Sequence, residues 1–560
     1  MTDARAASRA PWWRRAAVYH VYPRSFADAN GDGIGDLPGL IGKLDYLTAL
    51  GVEALWISPF FESPQRDFGY DITNYDSVAP EHGTMDDAAR LIQEAHARGL
   101  KVVLDLVLNH TSDQHPWFLA SRRSEDDPKR AYYLWRRGRR PGAPPNNWQA
   151  MTGGSGWQYD ARTDAWYWAS FLPFQPDLDY HCPEVREAML GVARRWLERG
   201  ADGFRLDIFN ALFKDEAFRD NPPSPRPLPS ERNVDGFFQK RLYTSDLPET
   251  FAFARELRAA CDGFPGDRFL VGEVFGSPER LRRYLGTPGD PGLHAVFLFQ
   301  TLRTPAAAPA LRRLLMEFER ELPAPYLPSY VLGNHDQARV LDRLGGDLRR
   351  MRLLAAVQLT ARAMPFIYYG EELGMRGPAI PLREAVDTLA DRYRWVPDAA
   401  ARRLVRAGIT LNRDASRTPM PWSAAPNAGF CPEGVTPWRP VHPDFAQVNV
   451  ATEASDPASL LSFYRRLLWL RRERPALSEG SLTLLDARPH ADAVLGYRRC
   501  AGADEVDVWL NTDARPRRVA LGGKQRVLLS TEGTGDEAQV TRGGELELRP
   551  YEAVILGAGG

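Results

Sequence analysis

The stretch KVVLDLVLNH (Lys101–His110) shows the pattern from which the fold can be argued. It is a short apolar run, rich in branched side chains, that ends in polar residues. Such runs are typical of parallel strands buried on both faces. Seven further stretches share this character: Val18–Tyr22, Ala54–Phe60, Gly203–Phe209, Arg268–Phe275, His294–Gln300, Tyr330–Asp336 and Met364–Glu371. Eight buried strands are therefore predicted.

Helical patterns lie between several of these runs. Asp86–Arg98 has apolar residues at helical spacing and is followed by Gly99, a residue that commonly ends helices. Pro183–Arg199 has the same spacing, with proline at its start and Gly200 just beyond its end. Strands that alternate with helices eight times predict an α/β fold, a (β/α)8 TIM barrel.

Three segments are too long for ordinary barrel loops: Thr111–Pro176, the proline-rich Asn210–Glu249, and Gly374–Asn449. Beyond Leu477, short alternating strands predict a C-terminal antiparallel β-sandwich domain. The predicted domains are the first part of the barrel (1–110), an inserted subdomain (111–176), the second part of the barrel (177–476) and the C-terminal β domain (477–560).

Composition excludes several classes of protein. Apolar residues make up 44% and charged residues 26%, with a formal net charge of −1, which gives no electrostatic case for binding nucleic acid or a membrane surface. The four cysteines lie far apart, so reduced thiols in the cytoplasm are expected. No apolar stretch suggests a signal peptide or a membrane span.

The first indication of catalysis comes from two carboxylates. Asp207 and Glu273 each end a predicted strand, and Arg205 shares one face of its strand with Asp207. The arginine should keep Asp207 ionised, whereas the apolar neighbours of Glu273 should keep that carboxyl group protonated. One ionised and one protonated carboxyl group suit retaining glycoside hydrolysis. The alternative is a structural ion pair inside the barrel.

Further polar residues are predicted at the same mouth. Asp336 adds a third carboxylate, which sugar hydroxyl groups could satisfy, and His110 and His335 can bond to such hydroxyls. Tyr70 and Asp71 could stack on a sugar ring and bind its hydroxyls. Each of these residues alone could equally be an ordinary strand-end or loop residue.

Near the N-terminus, oxygen-bearing side chains alternate with other residues in DANGDGIGD, at Asp28, Asn30, Asp32 and Asp36. The spacing is similar to the start of an EF-hand loop, although no glutamate closes it. A structural calcium ion is predicted, with magnesium possible. A turn without metal is the alternative.

Five ordered motifs resemble those of glycoside hydrolase family thirteen, the α-amylase family. They are DLVLNH (Asp105–His110), QPDLDY (Gln175–Tyr180), GFRLD (Gly203–Asp207), GEVF (Gly272–Phe275) and NHDQ (Asn334–Gln337). YHVYPRSF (Tyr19–Phe26) and RTPMPW (Arg417–Trp422) are similar to the branch that contains α-glucosidases, oligo-1,6-glucosidases and trehalose-acting enzymes. In that family the inserted segment is the B subdomain.

The resemblance implies a role for each matching residue. Asp207 would be the nucleophile, Glu273 the acid/base, and Asp336 the group that stabilises the transition state. The glucose would be held by Asp71, His110, Arg205, His335 and Arg417, between the aromatic walls Tyr70 and Phe171. Phe275 would face the aglycone. The Ile34 carbonyl would join the side chains of Asp28, Asn30, Asp32 and Asp36 around calcium.

The expected function is an exo-acting retaining α-glucosidase that acts on small oligosaccharides or other glucosides, with transglucosylation. The long insertions should wall the mouth into a pocket. Ile208 beside the nucleophile is bulky and β-branched, which favours a preference for α-1,6 linkages. The alternative is a glucosyltransferase or isomerase similar to trehalose synthase; a non-catalytic relative is disfavoured because all three acids are present. A monomer or homodimer is expected.

Overall fold

The computed structural model describes residues 10–406, 409–523, 525–533 and 544–558. The first nine residues, part of the segment used to argue against a signal peptide, lie outside this range. Eight parallel strands form one sheet: β1 (Val18–Val21), β2 (Ala54–Ile57), β3 (Lys101–Leu106), β4 (Gly203–Leu206), β5 (Phe269–Gly272), β6 (Ala295–Val296), β7 (Ser329–Val331) and β8 (Met364–Tyr368). Each lies within or overlaps one predicted run, and the predicted barrel is confirmed.

The sheet runs in the order β6-β5-β4-β3-β2-β1-β8-β7. A side chain links its two ends. The Ser329 hydroxyl on β7 donates to the carbonyl of Val296 on β6 and accepts from the backbone N–H of Leu298, both at 2.9 Å. The barrel interior is filled by buried apolar side chains, among them Trp56 and Phe366.

Helices surround the barrel where the apolar periodicity predicts them. The helix Met85–Ala97 starts with a reciprocal cap, because the Thr84 hydroxyl accepts from Asp87 N–H while the Asp87 carboxylate accepts from Thr84 N–H. The other α-helices outside the first insertion are Leu37–Ile41, Leu44–Leu50, Pro183–Glu198, Pro248–Asp262, Pro278–Leu285, Gln300–Arg303, Ala308–Glu321, Val340–Arg343, Leu348–Thr360, Val450–Ala454, Leu460–Glu473 and Pro475–Ser478, together with Asp398–Arg406 in the insertion Gly374–Asn449. Across the described ranges, no helix is both long and apolar enough to cross a bilayer.

The inserted subdomain contains the helix Pro116–Ser121 and a small antiparallel sheet of Trp135–Arg136, Ala165–Trp168 and Trp157–Asp160. The tryptophans pack into its own apolar cluster. The proline-rich segment is tied to this subdomain by Arg241, whose guanidinium donates to the carbonyls of Gln149 (2.7 Å) and Ala150 (2.8 Å). Two of the long insertions therefore support each other above the barrel.

The C-terminal domain is antiparallel, as predicted. Its strands are β9 (Ser481–Leu484), β10 (Val494–Ala501), β11 (Asp504–Asn511), β12 (Arg517–Ala520), β13 (Gln525–Ser530), β14 (Glu545–Leu548) and β15 (Ala553–Ala558). A five-stranded sheet and the β12–β14 pair share a core that includes Trp509, Val519 and Leu548. Those side chains point inwards from both layers, as in a sandwich.

Candidate active site

The carboxyl ends of the barrel strands open into a cavity of about 540 Å³. The three acids predicted from the sequence line this one cavity. Asp207 directly follows β4, Glu273 directly follows β5, and Asp336 lies in the loop after β7. Parallel barrel strands bring their carboxyl ends to the same face, which explains how residues so far apart in the chain meet.

Asp207 and Glu273 share one guanidinium group. Arg205 Nη1 donates to Asp207 Oδ1 (2.6 Å) and to Asp105 Oδ1 (2.7 Å), and Nη2 donates to Glu273 Oε2 (2.6 Å). The Arg205 side chain is only 2% exposed, so water screens these contacts little. Arg205 therefore holds the two carboxyl groups side by side, and it is both a structural ion-pair partner and a part of the site.

Glu273 has more polar partners than its sequence neighbours indicate. Besides Arg205, its Oε2 accepts from the backbone N–H of Ile208 at 3.1 Å. Ile208 has φ +41°, a left-handed conformation that is rare for a β-branched residue. The prediction of purely apolar surroundings for Glu273 was therefore wrong. Strained backbone of this kind is common at functional sites.

The pKa of Glu273 nevertheless lies well above its ordinary value. Burial is the main cause, and the negative charges of Asp207 and Asp336 add to it, while Arg205 opposes the shift. Since Oε2 already accepts two hydrogen bonds, the proton belongs on Oε1. Glu273 can therefore act as an acid beside an Asp207 whose charge is balanced by Arg205.

This arrangement predicts an alkaline limit for activity. The fall of kcat/KM with rising pH should occur above the range of an ordinary carboxyl group, because an acid role for Glu273 would require its proton. Asp336→Asn should move this limb to lower pH, since a neighbouring negative charge favours the protonated form. Residual activity of the variant measured over a pH series checks this; Asp486→Asn, on the exposed surface of the C-terminal domain, is the control. A limb that stays in place in Asp336→Asn would contradict the coupling.

Asp336 is surrounded by donors. Its Oδ1 accepts from Arg417 Nη2 (2.9 Å) and Arg413 Nη1 (3.2 Å), and His335 Nε2 lies 3.2 Å from Oδ2. Burial opposes ionisation, but His335, Arg413 and Arg417 hold the pKa of Asp336 well below its usual range. Burial lowers the pKa of His335 to about 3. Asp336 is thus a fixed negative charge in the cavity wall.

Aromatic rings form the inner walls. Tyr70 stacks on His335, with ring centroids 5.1 Å apart, and Phe171 lies 5.7 Å from His110. His110 Nε2 donates to the Tyr70 carbonyl (3.0 Å), and Nδ1 accepts from Asn109 Nδ2 (3.3 Å). Both ring nitrogens of His110 are used within the protein. His110 therefore lines the cavity without the free donor that the sequence led us to expect.

Three predicted residues lie outside the cavity lining: Arg205, described above, and also Asp71 and Arg417. Asp71 is fully buried and accepts from the Ser63 hydroxyl and two backbone amides, and Arg417 is also fully buried. Asp67 and Arg413 line the cavity in their place, and their side chains bond to each other at 2.8 Å. Each lies within four residues of the predicted one. The sequence motifs located this part of the site, but nothing in them indicates which residue of each motif faces the cavity.

The three long insertions form the outer walls. Phe275, after β5, reaches this part of the lining, and its ring lies 5.0 Å from that of Phe299. Apolar side chains from these insertions also line the cavity, among them Met151, Leu228, Val234, Phe237 and Leu389. The insertions thus deepen the barrel mouth, as expected.

A buried ion pair supports the inner walls from behind. Lys214 Nζ bonds to the Asp177 carboxylate and donates to Asn109 Oδ1 (3.0 Å), with both charged side chains fully buried. Asp177 in turn accepts from the Ser170 N–H (2.7 Å) and hydroxyl (2.6 Å). Asn109 precedes His110, and Ser170 precedes Phe171. The pair therefore anchors both of these wall residues.

Lys214→Met should destabilise the protein by about 3–5 kcal/mol, because it leaves the Asp177 carboxylate buried without its counter-ion. Free energies of unfolding from urea titrations test this. The double variant Lys214→Met/Asp177→Asn should recover most of the loss, while Arg488→Met, which breaks an exposed pair with Asp486, should change little. A Lys214→Met protein as stable as the parent would contradict this interpretation.

The predicted metal loop is held by bonds to its own backbone. Asp28 accepts from Gly31 N–H (2.7 Å) and Gly33 N–H (2.8 Å), and Asp36 caps the helix Leu37–Ile41. Asn30 and Asp32 make similar local turns, with Asp32 accepting from Ile34 N–H. In the described ranges no three His, Cys, Asp or Glu side chains are grouped to hold a metal. The loop still offers an all-oxygen donor set with spare lone pairs, the type that calcium takes.

Comparison with known proteins agrees with this site. The alpha amylase catalytic domain family matches residues 20–480. A probable alpha-glucosidase from Rhizobium meliloti (strain 1021) is 40% identical over 506 residues, 88% of each chain. An oligo-1,6-glucosidase from Parageobacillus thermoglucosidasius is 35% identical over 574 residues, 97% of this chain and 98% of the relative.

Two solved structures are also similar over 98% of this chain and 100% of their own. An alpha-glucosyl transfer enzyme has a TM-score of 0.87 at 37% identity, and the trehalulose synthase from Pseudomonas mesoacidophila MX-45 has 0.86 at 33%. The family match and the similar relatives cover most of the chain, and three acids lie where the barrel strands end. The chain therefore belongs to the alpha-amylase family, in its α-glucosidase branch, and is a glycoside hydrolase.

Proposed function

We propose that the protein is an exo-acting retaining α-glucosidase that releases glucose from the non-reducing end of short α-glucosides. The observation that carries this is the shape of the site. Two carboxyl groups on one guanidinium face a cavity that is also lined by the Asp67–Arg413 ion pair. The insertions surround its mouth. A cavity walled by insertions in this way should accommodate a terminal glucose better than the middle of a chain.

In the proposed reaction, Asp207 attacks the anomeric carbon through Oδ2, since Oδ1 is bound to Arg205. Glu273 gives its proton to the departing oxygen as the glycosidic bond breaks, which leaves a β-glucosyl ester on Asp207. Water then attacks the same carbon from the opposite face. Its proton goes to Glu273, and Asp207 leaves as a carboxylate. Asp336 stabilises the positive charge that develops on the sugar.

The second candidate is a glucosyltransferase or isomerase, because an acceptor hydroxyl could replace water in the last step. The structural similarity to an alpha-glucosyl transfer enzyme and to a trehalulose synthase supports this second candidate. We propose that hydrolysis and transfer both occur from one glucosyl-enzyme.

A panel of maltose, isomaltose, nigerose, kojibiose, trehalose and sucrose tests the proposal, with glucose and new disaccharides both quantified. We expect glucose first formed as the α-anomer, isomaltose used better than maltose because of Ile208, and no action on oligosaccharides blocked at the non-reducing end. Release of β-glucose would contradict retention, and cleavage of the blocked substrates would contradict exo action.

We also propose that the loop of Asp28, Asn30, Asp32, Ile34 and Asp36 binds a structural calcium ion. A chelator should then lower the melting temperature more than the initial rate, because the loop does not line the cavity. An ion at 100 times its dissociation constant contributes about 2.7 kcal/mol. Thermal unfolding with and without chelator checks this, and Asp32→Ala should abolish the difference. A parent protein that shows no thermal shift would mean that the loop binds no ion.

A further inference from the structure

A second cavity, of about 890 Å³, opens between three elements that lie outside the barrel sheet. These are the hairpin of Phe61–Glu62 and Asn74–Val78, the helix Pro116–Ser121 of the first insertion, and the helix Pro183–Glu198. We call this cavity the side groove; its lining includes Glu62, Asn74, Asp76, Gln114, His115, Trp117 and Arg195. No residue lines both the side groove and the catalytic cavity.

The side groove contains a buried hydrogen-bond donor that the protein leaves unused. His115 is only 5% exposed, yet it lines the groove. Its Nδ1 accepts from the backbone N–H of Trp117 at 3.1 Å, so the ring proton lies on Nε2. Burial lowers the pKa of His115 to about 4, which keeps the ring uncharged at neutral pH. Within the described part of the chain, Nε2 has no partner, and its N–H is available to a ligand.

Two further side chains have free hydrogen-bonding capacity. The Gln114 amide is exposed and bonds to no described residue. The Glu62 carboxylate accepts, among the described residues, from Asn74 Nδ2 alone, at 3.5 Å. Asp76 and Arg195, by contrast, neutralise each other through two contacts of 2.8 Å. The groove therefore offers donors and acceptors for an uncharged ligand, and the charge of Glu62 disfavours an anion.

The aromatic part of the lining is held in position. The ring of Trp117 is half-buried, and Tyr132 packs against it edge-on, with ring centroids 5.2 Å apart. Lys129 Nζ lies 5.6 Å from the same ring, and the His115 ring lies 4.6 Å from it. A fixed indole beside free donors and acceptors suits a ligand that has both an apolar ring face and several hydroxyl groups. Cyclic sugars have both.

We propose that the side groove binds a neutral saccharide at a site separate from the catalytic cavity. In this complex a sugar ring lies on Trp117. One hydroxyl oxygen accepts from His115 Nε2, and another hydroxyl group donates to Glu62. The Gln114 amide can donate to one hydroxyl group and accept from another. Binding in the side groove needs no turnover, so this inference does not rest on the proposed function.

Maltotriose is the probe, titrated by calorimetry into the Asp207→Asn protein so that it is not consumed. 1-Deoxynojirimycin, an iminosugar analogue of glucose, occupies the catalytic cavity, and two inhibitor concentrations show which heat it displaces. We expect one site that the inhibitor does not displace, with Kd on the order of 1 mM. Trp117→Ala in this background should raise that Kd about tenfold, the effect of losing one aromatic contact. Gln114→Ala, which changes an exposed side chain without internal bonds, should raise it about threefold.

Trp469→Ala is the matched control. Trp469 is 40% exposed on the helix Leu460–Glu473 and lines neither cavity, so its loss should leave the Kd unchanged. With Asp207 intact, Trp117→Ala should leave kcat/KM on maltose nearly unchanged. The proposal is overturned if no binding remains beside the inhibitor, or if Trp117→Ala and Trp469→Ala act alike. If a site that depends on Trp117 is found but no α-glucoside in the panel is turned over, the proposed function alone fails.

Discussion

Asp207→Asn should lower kcat on maltose by a factor on the order of 10⁴–10⁶, the range seen when a covalent nucleophile is removed. The amide is too weak a nucleophile to form the glucosyl ester. The fold should survive, because asparagine has nearly the same shape and Arg205 keeps Asp105 and Glu273 as partners. Steady-state kinetics and circular dichroism of the purified variant measure both outcomes.

Asp105→Asn is the matched control for this variant. Asp105 accepts from the same Arg205 nitrogen as Asp207, but it is not part of the cavity lining. Loss of an ion pair to Arg205 is common to both variants, whereas loss of the proposed nucleophile is not. Asp105→Asn should therefore retain far more activity. Equal losses in the two variants would show that Asp207 acts through Arg205 and not on the substrate.

Glu273→Gln should lower turnover of maltose by roughly 10²–10⁴, the usual contribution of a general acid. The loss in the first step should be much smaller for p-nitrophenyl α-glucoside, because that leaving group departs without a proton. Pre-steady-state release of nitrophenol separates this step from the second, which also needs Glu273. If both substrates lose activity equally in the first step, Glu273 is not the acid.

Most of the barrel could be predicted from the sequence because each strand is a short local pattern. The run from Lys101 to His110 and its equivalents are apolar wherever the strand is buried on both faces. The three acids could be placed for the same reason, since each ends such a run. The lengths of the strands were overestimated. The strand predicted to extend to His110 ends at Leu106, because the pairing with β4 stops there.

What could not be predicted depends on contacts between distant segments. Asp67 and Arg413 meet only because the loop after β2 and the last insertion fold over the same mouth. Likewise, the second and third donors on Asp336 and the Ile208 amide on Glu273 have no local pattern. Lys214 reads as an ordinary surface lysine, yet it is fully buried against Asp177. Such tertiary partners are decided by topology, which composition and spacing do not encode.

Direct chemical labelling tests the central claim, that Asp207 forms a covalent bond to the sugar while Glu273 supplies the proton. A glucosyl donor slowed by fluorine next to the anomeric carbon, with a good leaving group, should accumulate the glucosyl-enzyme. Proteolysis and mass spectrometry then locate the label. We predict one fluoroglucosyl group on the peptide that contains Asp207, absent in Asp207→Asn. A label on another residue, or turnover without any label and with inverted product, would contradict the account.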